Sequence, residues 1–169
     1  MLHPGVDETE QFRISTAGTV ALSVARMMIN AITLSQLYVL DQNEALDFYV
    51  GKLGLEVKND VDFGFMRWLT VGVPGDGSRE ILLELPGPPA MSEDNAAQVR
   101  EMVSKGATGG WIGVTTDDCR KTYAALLAAG VDVTEEPQER PYGIDCAVRD
   151  PFGNKIRISQ MNPIPASQP

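Results

Sequence analysis

Histidine is almost absent from this chain: His3 is the single one among 169 residues. A centre built on two or three histidines is therefore excluded within one copy. Cysteine is nearly as scarce, and Cys119 and Cys146 make neither a disulfide framework nor a zinc spacing. Cys119 falls in the first turn of a predicted helix, where a thiol pKa can drop, yet a small residue on a helix face needs no further role. Basic residues are few, 14 Lys and Arg against 23 Asp and Glu, for a formal charge of -9. That balance argues against nucleic acid, whose phosphates need a basic face, and would steer cationic ligands if it steers any. The mildly apolar stretch from Thr16 to Ala25 is too short to span a bilayer. Asp7, Glu8 and Glu10 stand where an export signal carries positive charge, so the expected location is cytoplasmic. A nucleophile elbow, a phosphate-binding glycine loop and a paired histidine and cysteine are also missing.

What is present is a soluble, globular composition, 43% hydrophobic and 22% charged, with length enough for one domain and a real core. It is also repeated. Laying the halves over each other so that Asp41 falls on Asp117 puts Gly54 on Gly130, Leu55 on Val131 and Val57 on Val133. Internal repetition of this kind constrains architecture more than any single motif. Ile32 to Leu40 reads as a strand, after which Asp41 caps a helix, with Glu44 placed for a capping box. Ala45, Leu46, Phe48, Tyr49 and Leu53 give that helix its apolar stripe, and Gly54 stops it. Strands follow from Leu55, from Phe65 to Val73 and from Glu80 to Leu85. Ser92 caps a linker helix reaching Lys105. The second half repeats the order: a strand from Trp111 to Thr115, a helix from about Asp118 to Ala129, and strands near Val131 to Thr134, Asp145 to Arg149 and Lys155 to Gln160. Residues 1–28 read as a flexible or loosely packed leader, 29–162 as one domain with modules at about 29–86 and 109–160 joined by 87–108, and 163–169 as a tail.

These segments resemble the vicinal oxygen chelate superfamily of glyoxalases, bleomycin resistance proteins and extradiol dioxygenases. The resemblance rests on Tyr38-Val39-Leu40-Asp41, Ala45-Leu46-Asp47-Phe48-Tyr49 and Lys52-Leu53-Gly54-Leu55 in the first half. In the second it rests on Gly110-Trp111-Ile112-Gly113-Val114, Ala128-Ala129-Gly130-Val131 and the Asp150-Pro151-Phe152-Gly153-Asn154 turn. It implies an α+β fold of two βαβββ modules forming an eight-stranded open half-barrel around one cavity. It also implies where a metal would sit in the enzymes: on side chains of the first and last strand of each module. Carried onto this chain, those positions are Leu34, Glu84, Trp111 and Arg157. Only Glu84 is a metal ligand; leucine and tryptophan offer no useful lone pair, and arginine brings a fixed positive charge. Gln36, on the same strand face as Leu34, substitutes only if the register shifts.

No metal or other cofactor is therefore expected. If the positions converge as in the relatives, Glu84 and Arg157 face each other and pair through two hydrogen bonds. Such a pair either plugs a degenerate metal site or anchors a polar ligand against the Trp111 ring. Arg67 and Trp68 alternate on the third strand, so one of them faces inward and the sequence leaves open which. Tyr142 either closes over a ligand or packs a turn. The candidate ligand-binding residues are thus Gln36, Arg67, Glu84, Trp111, Tyr142 and Arg157, in a small-molecule binding protein that works as a homodimer. The alternative is a lyase, isomerase or dioxygenase-like enzyme with Glu84 as general base and Arg157 stabilising the developing anion. A membrane is not expected as a partner.

Overall fold

The computed structural model describes residues 31–108 and 110–163. The leader 1–28, with His3, and nearly all of the tail lie outside the described residues. Eight strands and three helices follow one another as β1 (Leu34–Tyr38), α1 (Gln42–Tyr49), β2 (Glu56–Asp62), β3 (Arg67–Gly72), β4 (Glu80–Glu84), α2 (Glu93–Ser104), β5 (Trp111–Thr115), α3 (Cys119–Ala128), β6 (Asp132–Arg140), β7 (Gly143–Arg149) and β8 (Lys155–Met161). They form two four-stranded sheets of the same design, ordered β1-β4-β3-β2 and β5-β8-β7-β6. In each sheet the first strand runs parallel to the last, and the remaining pairs are antiparallel. The fold is α+β, two open sheets that do not close into a barrel.

Local chemistry sets the helix ends. The Asp41 carboxylate accepts the N–H groups of Asn43 at 2.7 Å and Glu44 at 3.0 Å, which satisfies two of the free donors at the start of α1. Among the described residues Glu44 makes no return bond, so the capping box is half built. At the other end Gly54 takes φ +76°, a conformation that favours glycine. The regular helix stops at Tyr49, earlier than the apolar stripe suggests, because Gly51, Lys52 and Leu53 wind on through irregular bonds to Leu46 and Phe48. In α3 the cap is Asp118, which accepts from Lys121 N–H at 2.9 Å, so the second helix starts one residue later than the repeat implies. Strand β6 is longer than its sequence suggests: Pro137 reads as a strand breaker. On the outer edge of its sheet Pro137 costs little, and the pairing is irregular between Glu135 and Gln138.

Alternation along the strands decides what each sheet face does. Leu37, Val39, Leu69, Val71 and Leu83 of the first sheet share one buried cluster with Cys146, Val148, Ile156 and Ile158 of the second. Phe48 and Tyr49 from α1 and Leu126 from α3 complete that core. The opposite faces stay open. On the first sheet the open face carries Leu34, Gln36, Tyr38, Trp68 and Glu84; on the second it carries Trp111, Gly113, Ala147, Lys155 and Arg157.

The turn Asp150-Pro151-Phe152-Gly153-Asn154 fastens the modules together. Asp150 is buried and accepts from the N–H groups of Phe152 and Asn154, from the Asn154 amide and from the Tyr49 hydroxyl. The Asn154 amide also donates to the Tyr38 carbonyl at 2.9 Å. Four donors around one buried carboxylate offset the loss of its hydration.

Candidate functional site

The four family positions do not meet within one chain. Glu84 and Leu34 sit on the open face of the first sheet, Trp111 and Arg157 on that of the second, and both faces point away from the shared core. The expected Glu84–Arg157 pair is not formed. Arg157 instead donates from Nη1 to Asp145 Oδ2 at 2.5 Å and from Nη2 to Glu135 Oε2 at 2.9 Å. The reason is local: β7 lies between β6 and β8, so carboxylates of its own sheet are within reach, whereas Glu84 belongs to the other sheet.

Around Arg157 the side chains close into a ring. Arg140 donates through Nε to Asp145 Oδ1 at 3.2 Å and through Nη2 to Glu135 Oε1. Each arginine thus bridges the same two carboxylates, and the Tyr142 hydroxyl donates to Asp145 Oδ2 as a further contact. Asp145 is fully buried under these groups. Burial alone would raise its pKa, but the hydrogen bonds from Tyr142, Arg157 and Arg140 together hold it below the usual carboxylate range. The hydrogen bond to Asp145 in turn raises Arg157. Two positive and two negative charges cancel within the ring, so Arg157 is no free anion anchor.

Beside the ring lies a depression of about 230 Å³ lined by Trp111, Ala147, Lys155 and Arg157. Arg157 has Gly113 and Ala147 as its strand neighbours, and these small residues leave the space above the sheet open. A Cβ on Gly113 would lie 3.6 Å from the Trp111 ring. That ring therefore leans along the strand toward Arg157 while remaining 65% exposed.

On the other sheet the Glu84 carboxylate makes no hydrogen bond among the described residues, while the backbone carbonyl accepts from Val39 N–H at 3.0 Å. Burial raises its pKa, as expected for a carboxylate losing water without gaining a partner. Burial, and then the Glu84 charge, also raise Tyr38. Glu84 borders a small cleft of about 110 Å³ together with Gln42, Phe65, Met66, Arg67 and Pro86. Arg67 itself is taken up by Asp60, through Nε and Nη2 at 2.7 Å each, and by Asn43 at 2.8 Å. Alternation puts Trp68, not Arg67, on the open face beside Glu84. Gln36 shares that face with Leu34 and is exposed. Tyr142 belongs to the Asp145 cluster.

Sequence reasoning missed Asp145, Glu135 and Arg140. The signal was there for Asp145: Cys146 and Val148 alternate toward the core, which puts Asp145 on the Arg157 side. The bulge in β6 that brings Glu135 and Arg140 into the cluster with Asp145 and Arg157 has no such signature. Cys119 and Cys146 are both buried, and burial, followed by the Cys119 thiol, pushes the Cys146 thiol up to about 12. A larger depression, about 530 Å³, lies where the end of α1 meets β5 and α3. It contains none of the family positions and no buried polar group to orient a ligand, so the smaller Trp111 depression is the better candidate.

The donor chemistry does not suit a metal. Leu34, Trp111 and Arg157 cannot ligate one, and among the described residues no group of three or more His, Cys, Asp or Glu is placed to do so. Two βαβββ modules with open sheet faces, an aromatic wall and paired charges define a small cavity-forming class of protein. The chain belongs to the glyoxalase/bleomycin resistance protein/dioxygenase superfamily, whose family model matches residues 28–158. It is similar to the uncharacterized protein YurT of Bacillus subtilis (strain 168), 35% identical over 130 residues that cover 76% of this chain and 98% of that one. Among solved structures it is similar to UcmS2, at 37% identity and a TM-score of 0.72, covering 79% of this chain and 99% of that one. It is also similar to TnmS3, an antibiotic binding protein from Streptomyces sp. CB03234, at 29% identity and a TM-score of 0.64, covering 80% and 99%. No helix among the described residues is long and apolar enough to cross a membrane.

Proposed function

We propose that this protein binds a small molecule without a metal, and that the ligand is a planar aromatic compound, an antibiotic among the candidates, held against Trp111. One observation carries the reading: where metal-dependent relatives need ligands, this chain has Leu34, Trp111 and Arg157, and the tryptophan is exposed beside a depression. An exposed tryptophan next to small residues supplies a stacking surface with little polar competition. The likeness to TnmS3, described as an antibiotic binding protein, supports the same class of ligand.

The working unit in this reading is a homodimer. Each open face holds half of the family positions, so a second copy related by a two-fold axis sets the Glu84 face of one against the Trp111 face of the other. The test is a thermal-shift and fluorescence screen of planar aromatic antibiotics against the full chain, repeated with Trp111→Leu. A ligand that binds the wild type and loses most of its affinity with the variant supports the proposal. No binder in the screen, or binders indifferent to Trp111, would refute it.

One feature favours a second reading as an enzyme. The Glu84 carboxylate has no ion pair among the described residues and burial raises its pKa, the direction a general base needs. Arg157, however, is committed to Asp145 and Glu135, and within one copy it is not placed beside Glu84 to stabilise an anion.

A further inference from the structure

Resting on that reading, we infer that Trp111 and Arg157 form a stacking slot for a flat ring, with Asp145 as the residue that positions Arg157. Three features support this. The guanidinium is fixed by bonds from two different nitrogens, Nη1 to Asp145 and Nη2 to Glu135. Two such bonds in the guanidinium plane stop it swinging about its stem, so it presents a planar surface of constant orientation. The strand neighbours are Gly113 and Ala147, the smallest available, which leaves room over the sheet for a ring. The Trp111 side chain lies over Gly113 and supplies the aromatic wall of the same depression.

The charge ring sets the selectivity. Asp145 and Glu135 match the charges of Arg157 and Arg140, so the slot does not select anions through Arg157. Lys155 is the one lining cation without an ion pair among the described residues, and it is exposed, where a charge contributes little. Recognition is therefore by flatness, with charge secondary. Removing Asp145 would change the ligand preference as well as the affinity. Two arginines would share one carboxylate, and the slot would acquire a net positive charge.

The experiment uses 1-pyrenemethanol and 1-pyrenecarboxylate, which share one ring system and differ in charge, with binding to the full chain followed by pyrene fluorescence anisotropy. Asp145→Asn should weaken the neutral probe and shift the anion-to-neutral affinity ratio by about tenfold toward the anion, the worth of a charge-assisted bond. Glu135→Gln, at a less buried position, should shift the ratio the same way and covers the case in which the Asp145 variant does not fold. Gly113→Val should abolish binding of both probes. A ratio unchanged in the folded variants, or full affinity in Gly113→Val, overturns the slot while leaving the wild-type protein a binder. If wild type holds neither probe while the antibiotic screen yields a Trp111-dependent binder, the slot falls and the proposed function stands; if neither the probes nor the antibiotics bind, both fall.

Discussion

The hydroxyl of Tyr49 donates to Asp150 Oδ2 at 2.8 Å, across 101 residues of sequence and from one module to the other. This contact joins the helix of the first repeat to the turn that closes the last hairpin of the second. Burial and the Asp150 charge raise the pKa of Tyr49, so the phenol stays protonated and the bond holds through neutral and mildly alkaline pH. Tyr49→Phe keeps the ring in the core and removes only the donor. It should cost about 1–2 kcal/mol by urea denaturation, because Asp150 keeps three other donors. Asp150→Asn should cost more, since the amide group cannot accept at both of its terminal atoms.

The Asp145 ring predicts a dependence on acid. A carboxylate whose folded pKa is depressed contributes stability above its unfolded pKa, and that contribution is lost as pH falls through the folded value. Unfolding midpoints should therefore drop below about pH 4, near the ordinary carboxylate range. Asp145→Asn should lower stability at pH 7 by about 1–3 kcal/mol and flatten the acid slope. An unchanged slope would mean that other carboxylates govern acid unfolding.

Glu84 predicts the opposite sign. Its folded pKa is raised by burial, so the folded state binds its proton more tightly than the unfolded chain does. Stability then falls as pH rises from the unfolded pKa through the folded one. Glu84→Gln should melt at a higher temperature than wild type at pH 7 and at about the same temperature near pH 3. A lower melting temperature at pH 7 would show that Glu84 has a stabilising partner.

Much of the fold was legible because it is repeated and punctuated. Asp41 marks a helix start by its carboxylate and Gly54 and Gly130 mark helix ends by their positive φ, and Trp111 to Thr115 alternates as a half-buried strand must. The end of α1 and the length of β6 were not legible, because irregular bonds after Tyr49 and an edge position for Pro137 override local preference. For the site, strand positions were readable but the pairing of charges was not. Arg157 had carboxylates in reach on two strands of its own sheet, and a pairing across strands depends on register and bulges that single-residue patterns do not record.

Assembly gives a further check. If the open faces pair across a two-fold axis, sedimentation at micromolar concentration should report a dimer. A monomeric wild type would leave each half-site incomplete and contradict the dimer.

The most direct measurement of the central claim is the affinity for a planar aromatic ligand with chelator present, compared with the affinity in added manganese, nickel or zinc. A metal-free site gives the same dissociation constant in every condition, together with loss of binding in Trp111→Leu. Binding that disappears with chelator and returns with one divalent ion would show that a metal holds the ligand, and would contradict a metal-free site.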